Sequence, residues 1–252
     1  MSTTLEGFAP IIQPFLDLEL VLQIGEPIKS GKEATVFRCT AHPKTGHAEL
    51  ALKVYRPRTR RSFKNDSIYG EGSTILRFGG GNTRVARALR AGSCFGRRIQ
   101  GSTWCGREWE VLCQLHEAGL PVPAPVHVEQ DAILMELFAC DDGAVAPQLS
   151  TARLDSSSAC GLFRAICSDV EDMLALHVLH GDLSPYNILW SGDAYRIIDF
   201  PQAVDPRFNS NAQQLLARDL ENVAHFCARF GEVQDPTEVA ADMWRRFQRG
   251  EV

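Results

Sequence analysis

The chain has 252 residues, of which 44% are hydrophobic and 23% charged, with a formal net charge of −5. That length can bury a substantial core and suits one large domain or two lobes. It contains no run of 18 uncharged apolar residues, and its first ten residues lack the basic start and apolar stretch of a secretory signal. The expectation is therefore a cytoplasmic protein with no membrane partner. The eight cysteines (Cys39, Cys94, Cys105, Cys113, Cys140, Cys160, Cys167 and Cys227) form no Cys-x-x-Cys pair and have no histidine at zinc-finger spacing, as expected of reduced thiols.

Residues 1–20 read as an apolar lead-in broken by Pro10 and Pro14. Residues 21–28, 34–40 and 48–55 then read as three strands joined by tight turns, at Lys29-Ser30-Gly31-Lys32 and Pro43-Lys44-Thr45-Gly46. Leu50, Leu52 and Val54 set an alternation in the third. Residues 56–103 interrupt the pattern with eight glycines and many arginines, too long for an ordinary connector, with a short helix expected at 84–90. From Arg56 to Arg107 there are twelve Lys/Arg against Asp66 and Glu71, a local charge of +10 that leaves −15 for the remainder. Such asymmetry suits a phosphate-rich partner. A helix is expected at 104–118, with Trp109, Leu112 and Leu115 on one face and Gly119 at its end. A hairpin at 126–137 follows, then a loop-like stretch at 139–158 and a helix at 159–179. A small hairpin is expected at 188–198, and helices at 212–230 and 236–248 close the chain. The order is a β-rich lobe at 1–138 and a mainly helical lobe at 139–252.

Phosphoryl transfer requires the phosphates held, their charge neutralised by metal, and the acceptor placed in line. In His180-Gly181-Asp182-Leu183-Ser184-Pro185-Tyr186-Asn187, Asp182 is placed to orient an acceptor hydroxyl and take its proton. Asn187 closes the same loop five residues on. The spacing matches the His-Arg-Asp…Asn loop of protein kinases. Asp199, in Ile197-Ile198-Asp199-Phe200, leaves the small hairpin as a hard oxygen donor suited to Mg²⁺, which needs few protein ligands. Asn187 and Asp199 are thus the candidate metal ligands.

Lys53 lies in an otherwise apolar strand, where a half-buried ammonium needs a partner. Glu108 on the following helix is the natural one, with Glu110 as competitor. Together they resemble the kinase lysine–glutamate pair that serves the α/β-phosphates. The turn Ser30-Gly31-Lys32-Glu33-Ala34 is the phosphate-loop candidate. It is not a Walker A motif, because Gly25 and Gly31 are one residue too far apart and Glu33 replaces the metal-binding Ser/Thr. Met135, Glu136, Leu137 and Phe138 are the candidate adenine hinge, with Ile28, Val36 and Leu189 sandwiching the ring.

These blocks together resemble the RIO family of atypical serine/threonine kinases. The matching residues are Ser-Gly-Lys-Glu-Ala (30–34), Leu-Lys-Val-Tyr (52–55), Arg61-Ser62-Phe63-Lys64-Asn65-Asp66, the 180–187 loop, Ile-Asp-Phe-Pro-Gln-Ala-Val-Asp (198–205) and Arg218-Asp219-Leu220-Glu221-Asn222-Val223. The likeness runs from about residue 24 to residue 230. It is nearer the first RIO branch than the winged-helix branch, since too little chain precedes Val21 for a winged helix. The resemblance implies an α+β, bilobal protein-kinase-like fold with a reduced helical C-lobe, and ATP with Mg²⁺, Mn²⁺ being an alternative ion. It also implies autophosphorylation on serine and an ATPase cycle through transient phosphorylation of Asp199. The resemblance also points to ribosome assembly, in which members of the family act, and separately the charge of Arg56–Arg107 makes RNA or a ribosomal particle a candidate partner. Ser62 and Ser67 are the expected autophosphorylation sites, with Ser73 behind them. Like RIO kinases, the chain has Gly181 rather than arginine before Asp182 and Pro201 after Asp199-Phe200. Its 53 residues beyond Asp199 hold no Ala-Pro-Glu and leave no room for a peptide-binding platform.

Two alternatives stand beside this one. Small-molecule phosphotransferases of the aminoglycoside and choline type share His-Gly-Asp and a downstream metal aspartate, but carry a large helical insert. A nucleotide-gated RNA-binding module would use the arginine-rich segment without catalysis.

Overall fold

The structure, a computed structural model, describes residues 5–56 and 103–252. The helix expected at 84–90, and Ser62, Ser67 and Ser73, lie outside the described residues. The described chain divides into two compact units: 5–56, 103–113 and 123–137 in the first, 114–122 and 138–252 in the second.

In the first unit, a five-stranded antiparallel sheet has the order β1-β2-β3-β5-β4. Its strands are β1 (Val21–Ser30), β2 (Ala34–Ala41), β3 (Glu49–Tyr55), β4 (Pro125–Glu129) and β5 (Ala132–Glu136). The expected three-strand meander is thus present, and the second hairpin pairs onto its free side through β5. Central β3 is buried from Leu50 to Tyr55, on both faces, rather than alternating between core and solvent.

The reason lies in two helices. Residues 5–20 are not a bare lead-in: a 3-10 turn (Leu5–Phe8) runs into helix α1 (Ala9–Asp17). Pro10 sits in the first turn, where a missing N–H costs nothing, and Pro14 is tolerated inside. Phe8, Ile12 and Phe15, at helical spacing, bury against Phe37, Leu50, Leu52, Val54 and Leu134. Helix α2 (Thr103–Glu117) meets the other face through Glu108, which reaches Lys53. Cys105, Trp109, Val111, Leu112 and Leu115 are buried along α2.

In the second unit, helix α3 (Ser156–Ala175) starts at the side chain of Asp155, which accepts from the Ser158 N–H at 2.8 Å. Leu162, Phe163, Ile166, Val170, Met173 and Leu174 are buried along it. The helix stops earlier than its periodicity suggests, with His177 in the left-handed region (φ 60°). Strands β6 (Ile188–Trp190) and β7 (Tyr195–Ile197) form the expected hairpin, Ile188 facing Ile197 and Trp190 facing Tyr195. Helices α4 (Ala212–Cys227) and α5 (Pro236–Arg249) complete the unit and pack on one another. Among the described residues no helix is long and apolar enough to cross a membrane.

Candidate active site

In the first unit, Lys53 Nζ donates to both oxygens of Glu108, at 2.7 and 2.8 Å. Lys53 is 8% exposed and Glu108 3%. The lysine expected to need a partner has one, and it is Glu108. The turn after β1 is closed by the Gly31 N–H on Ala34 O at 2.9 Å. Arg56, just past β3, grips this turn from outside. Its Nε donates to Gly31 O (3.1 Å), its Nη2 to Ser30 Oγ (2.9 Å) and Thr35 Oγ1 (3.2 Å), and its own N–H to Glu33 O (2.8 Å). Sequence reading counted Arg56 with the arginine-rich segment and missed this brace. Ile28 is exposed on β1, Val36 half-buried on β2, and Met135 buried on β5. Glu136 is tied twice to Ala124: its N–H donates to Ala124 O and its Oε2 accepts from Ala124 N.

In the second unit, the 180–187 loop is held from three sides. His180, 1% exposed, accepts the Asp182 N–H at Nδ1 (3.3 Å), so its Nε2 carries the proton offered to Ile198 O (3.1 Å). The Ile198 N–H donates to Asn187 O, and Asn187 Nδ2 donates to Asp182 O, at 2.9 and 2.8 Å. The two ends of the loop and the exit of β7 are thereby one hydrogen-bonded unit. Leu179 and Val204 exchange N–H···O bonds at 2.9 Å, pairing the chain before Asp182 with the chain after Asp199. Ser150 N–H donates to Pro185 O, and Gln148 Nε2 donates to Tyr186 O. Asp199 has φ 76°, a left-handed conformation that aspartate tolerates better than most residues with a β-carbon.

The third side is α4. Asp219, 1% exposed, accepts the Gly181 N–H (2.8 Å) and the Leu183 N–H (3.1 Å) on its two oxygens. Arg218 Nη2 donates to Gly181 O, and Asn222 Nδ2 donates to Leu183 O (3.0 Å). The sequence held these residues as a matching block without showing what they touch. Burial favours the neutral acid at Asp219, while Arg218 and the two amides oppose it. With both oxygens accepting N–H bonds, the ionised form is the one the geometry fits.

Burial is also the largest influence on Asp182, raising its pKa above the ordinary carboxylate range. Arg218 and Asn187 pull it back, and Asp199 raises it further. Asp182 and Asp199 are therefore close enough to repel, the situation a shared cation relieves. The donor set of Asn187 and Asp199 is hard oxygen throughout, the chemistry Mg²⁺ selects. The residues present fit such an ion. Among the described residues no cluster of three or more His, Cys, Asp or Glu competes as a metal site.

The RIO1 family model, described as the RIO domain, matches residues 35–239. The chain is 30% identical over 212 residues to a RIO-type serine/threonine-protein kinase Rio1 of Haloferax volcanii, covering 84% of this chain and 65% of that protein. It is 29% identical over 222 residues to serine/threonine-protein kinase RIO1 of Homo sapiens, covering 87% of this chain and 36% of that one. The chain thus spans less than two thirds of the length of these relatives. Among solved structures, the Rio2 kinase-ADP/Mg2+-phosphoaspartate complex of Chaetomium thermophilum aligns over 95% of this chain and 74% of its own, with a TM-score of 0.61 and 19% identity. That likeness is one of fold, and it carries the mixed α+β, kinase-like architecture. The family match sets the small-molecule phosphotransferase alternative aside.

Proposed function

The chain belongs to the RIO domain family, and from that premise we propose that it is an ATP- and Mg²⁺-dependent serine/threonine protein kinase that transfers the γ-phosphate of ATP to serine hydroxyls, its own among them. The observation that carries this reading is the joint bracing of Asp182, Asn187 and the Asp199 strand exit through His180, Ile198 and Asn187. Asp182 takes the proton of the acceptor hydroxyl, its burial favouring the protonated product state. Asn187 and Asp199 hold the Mg²⁺, which when bound neutralises phosphate charge. Lys53, fixed by Glu108, serves the α/β-phosphates. The turn Ser30, Gly31, Lys32 and Glu33 covers them, and Ile28, Val36, Met135, Glu136, Leu137 and Leu189 take the adenine.

Incubation with labelled ATP and Mg²⁺ tests this, comparing wild type with Asp182→Ala and Asp199→Asn. Loss of label in both variants is expected; equal label in all three rejects the assignment.

A second output is ATP hydrolysis through the Asp199 carboxylate. The Rio2 complex contains ADP, Mg²⁺ and phosphoaspartate, and Asp199, with φ 76°, is the candidate carboxylate here. Transfer of the γ-phosphoryl to Asp199 would release ADP, and water would then hydrolyse the acyl phosphate, releasing inorganic phosphate and restoring the carboxylate. ATP consumed without stable serine phosphate would favour this output. We extend the proposal to Mn²⁺ as a substitute ion, to a cytoplasmic setting, and to RNA or a ribosomal particle as partner of the +10 segment from Arg56 to Arg107. Affinity for RNA that does not fall with salt would reject that partner.

A further inference from the structure

We propose that Arg218 is a positioning residue for Asp182, delivering from α4 the cation that the residue before Asp182 does not supply. This inference rests on the kinase reading above. In the protein-kinase motif an arginine precedes the aspartate; here that position is Gly181, with φ 78°. A side chain bearing a β-carbon is strained there, so position 181 itself offers no side chain to the loop. Arg218 brings a guanidinium to this point from α4: its Nη2 donates to the carbonyl of Gly181 itself and lies 3.8 Å from Asp219 Oδ1.

The arrangement is complete in a way that packing alone does not require. Gly181 and Leu183 flank Asp182, and between them offer two N–H and two C=O groups. All four are engaged by α4. Arg218 takes Gly181 O, Asp219 takes Gly181 N and Leu183 N, and Asn222 takes Leu183 O. Positions 218, 219 and 222 fall within one sector of a helix, at about 100° per residue, so a single rigid element fixes the peptide groups on both sides of Asp182. Arg218 is the member that joins this backbone grip to charge. Its guanidinium lies 3.8 Å from the buried Asp219 carboxylate and so offsets that charge. A charge-assisted bond to a carbonyl is stronger than a neutral one, and small misplacements of a reacting group cost much in rate.

The test compares wild type with Arg218→Ala and Arg218→Lys by amide hydrogen exchange across the second unit, residues 138–252, and by kcat and KM for ATP in the autophosphorylation assay. In Arg218→Ala, the Gly181 and Leu183 amides should exchange about tenfold faster while α3 and β6 keep their protection, and kcat should fall about tenfold with KM for ATP within about twofold. Arg218→Lys keeps a charged donor and should stay near wild type in both. Unchanged exchange in Arg218→Ala, faster exchange with unchanged kcat, loss of protection throughout the unit, or a lysine variant as impaired as alanine would each overturn the proposal. Should the wild-type chain transfer no phosphate, the kinase reading fails and the exchange arm alone decides. Tenfold loss confined to 181–183 then retains Arg218 as the holder of this loop, and unchanged protection rejects it.

Discussion

Lys53 Nζ and the Glu108 carboxylate meet at 2.7 and 2.8 Å with side chains only 11% and 4% exposed, a buried ion pair joining a central strand to a helix 55 residues away in sequence. Such a pair contributes little net stability over a matched apolar pair, because desolvation offsets the attraction, but removing one partner strands a buried charge. Glu108→Ala should therefore cost about 3 kcal/mol of stability in urea denaturation. The double variant Lys53→Met, Glu108→Leu should recover most of that loss. It should nevertheless leave ATP turnover at the background level of Lys53→Met alone, which would separate the structural use of the pair from its chemical one. A double variant as unstable as the single would show that other partners of these side chains carry the cost.

Arg56 makes a different case. It binds the turn at Gly31 O, Ser30 Oγ and Thr35 Oγ1 but is itself half-exposed, so its loss leaves little buried charge behind. Arg56→Ala should raise KM for ATP by about threefold to tenfold, the scale of one or two lost hydrogen bonds that order a loop, with a thermal midpoint close to wild type. Titration of ATP against initial rate measures this. A KM equal to wild type would show that the turn needs no external brace.

What could be read in advance followed the range of the interactions involved. Lys53 declared itself because an ammonium in the run Leu50-Ala51-Leu52-Lys53-Val54 needs a partner, and Asp182, Asn187 and Asp199 because their spacing around a hairpin is chemically specific. Helix α1 was missed because Pro10 and Pro14 read as breaks, although Phe8, Ile12 and Phe15 keep helical spacing; burial on the sheet outweighs what Pro14 costs the helix. The burial of both faces of β3 was hidden for the same reason, since one face is covered by α1. Arg56 and Arg218 were visible as charges but not as braces, since each acts on a backbone carbonyl far off in sequence (Gly31 and Gly181) and a carbonyl leaves no mark in the residue type.

Gly231 shows how close an approach the second unit requires. A β-carbon added there would lie 2.9 Å from Ser156 Cα, 2.9 Å from Ser156 O and 2.5 Å from Ser156 Oγ. Ser156 is the first residue of α3, and its backbone cannot shift without moving the helix start. Gly231→Ala should destabilise by about 1–3 kcal/mol, the usual cost of overpacking. Adding Ser156→Ala removes only the contact with Oγ and should rescue only part of that loss in thermal or urea unfolding. Full rescue would show that the backbone contacts relax freely.

The same helix start gives a pH dependence with a defined sign. Asp155 accepts the Ser158 N–H at 2.8 Å, the Ser157 hydroxyl at 2.7 Å and the Ser158 hydroxyl at 3.0 Å. The backbone bond from Ser158 is the largest influence, and together these hold the carboxyl below its ordinary value of 3.8. A carboxyl whose folded value is depressed contributes stability that is present above its unfolded value and is lost as pH falls through the folded one. The contribution should therefore be complete above about pH 5 and decline below about pH 4. Asp155→Asn keeps an acceptor for the Ser158 N–H but has no ionisation in this range, so its melting temperature should approach that of wild type as the pH drops through this window, with the difference between the two greatest near neutrality. Asp155→Ala loses the acceptor as well and should lie below both at neutral pH. The measurement is a series of thermal melts of the three proteins between about pH 2.5 and pH 7. A wild-type minus Asp155→Asn difference that stays constant across that range would show that the three bonds from Ser157 and Ser158 do not favour the ionised cap.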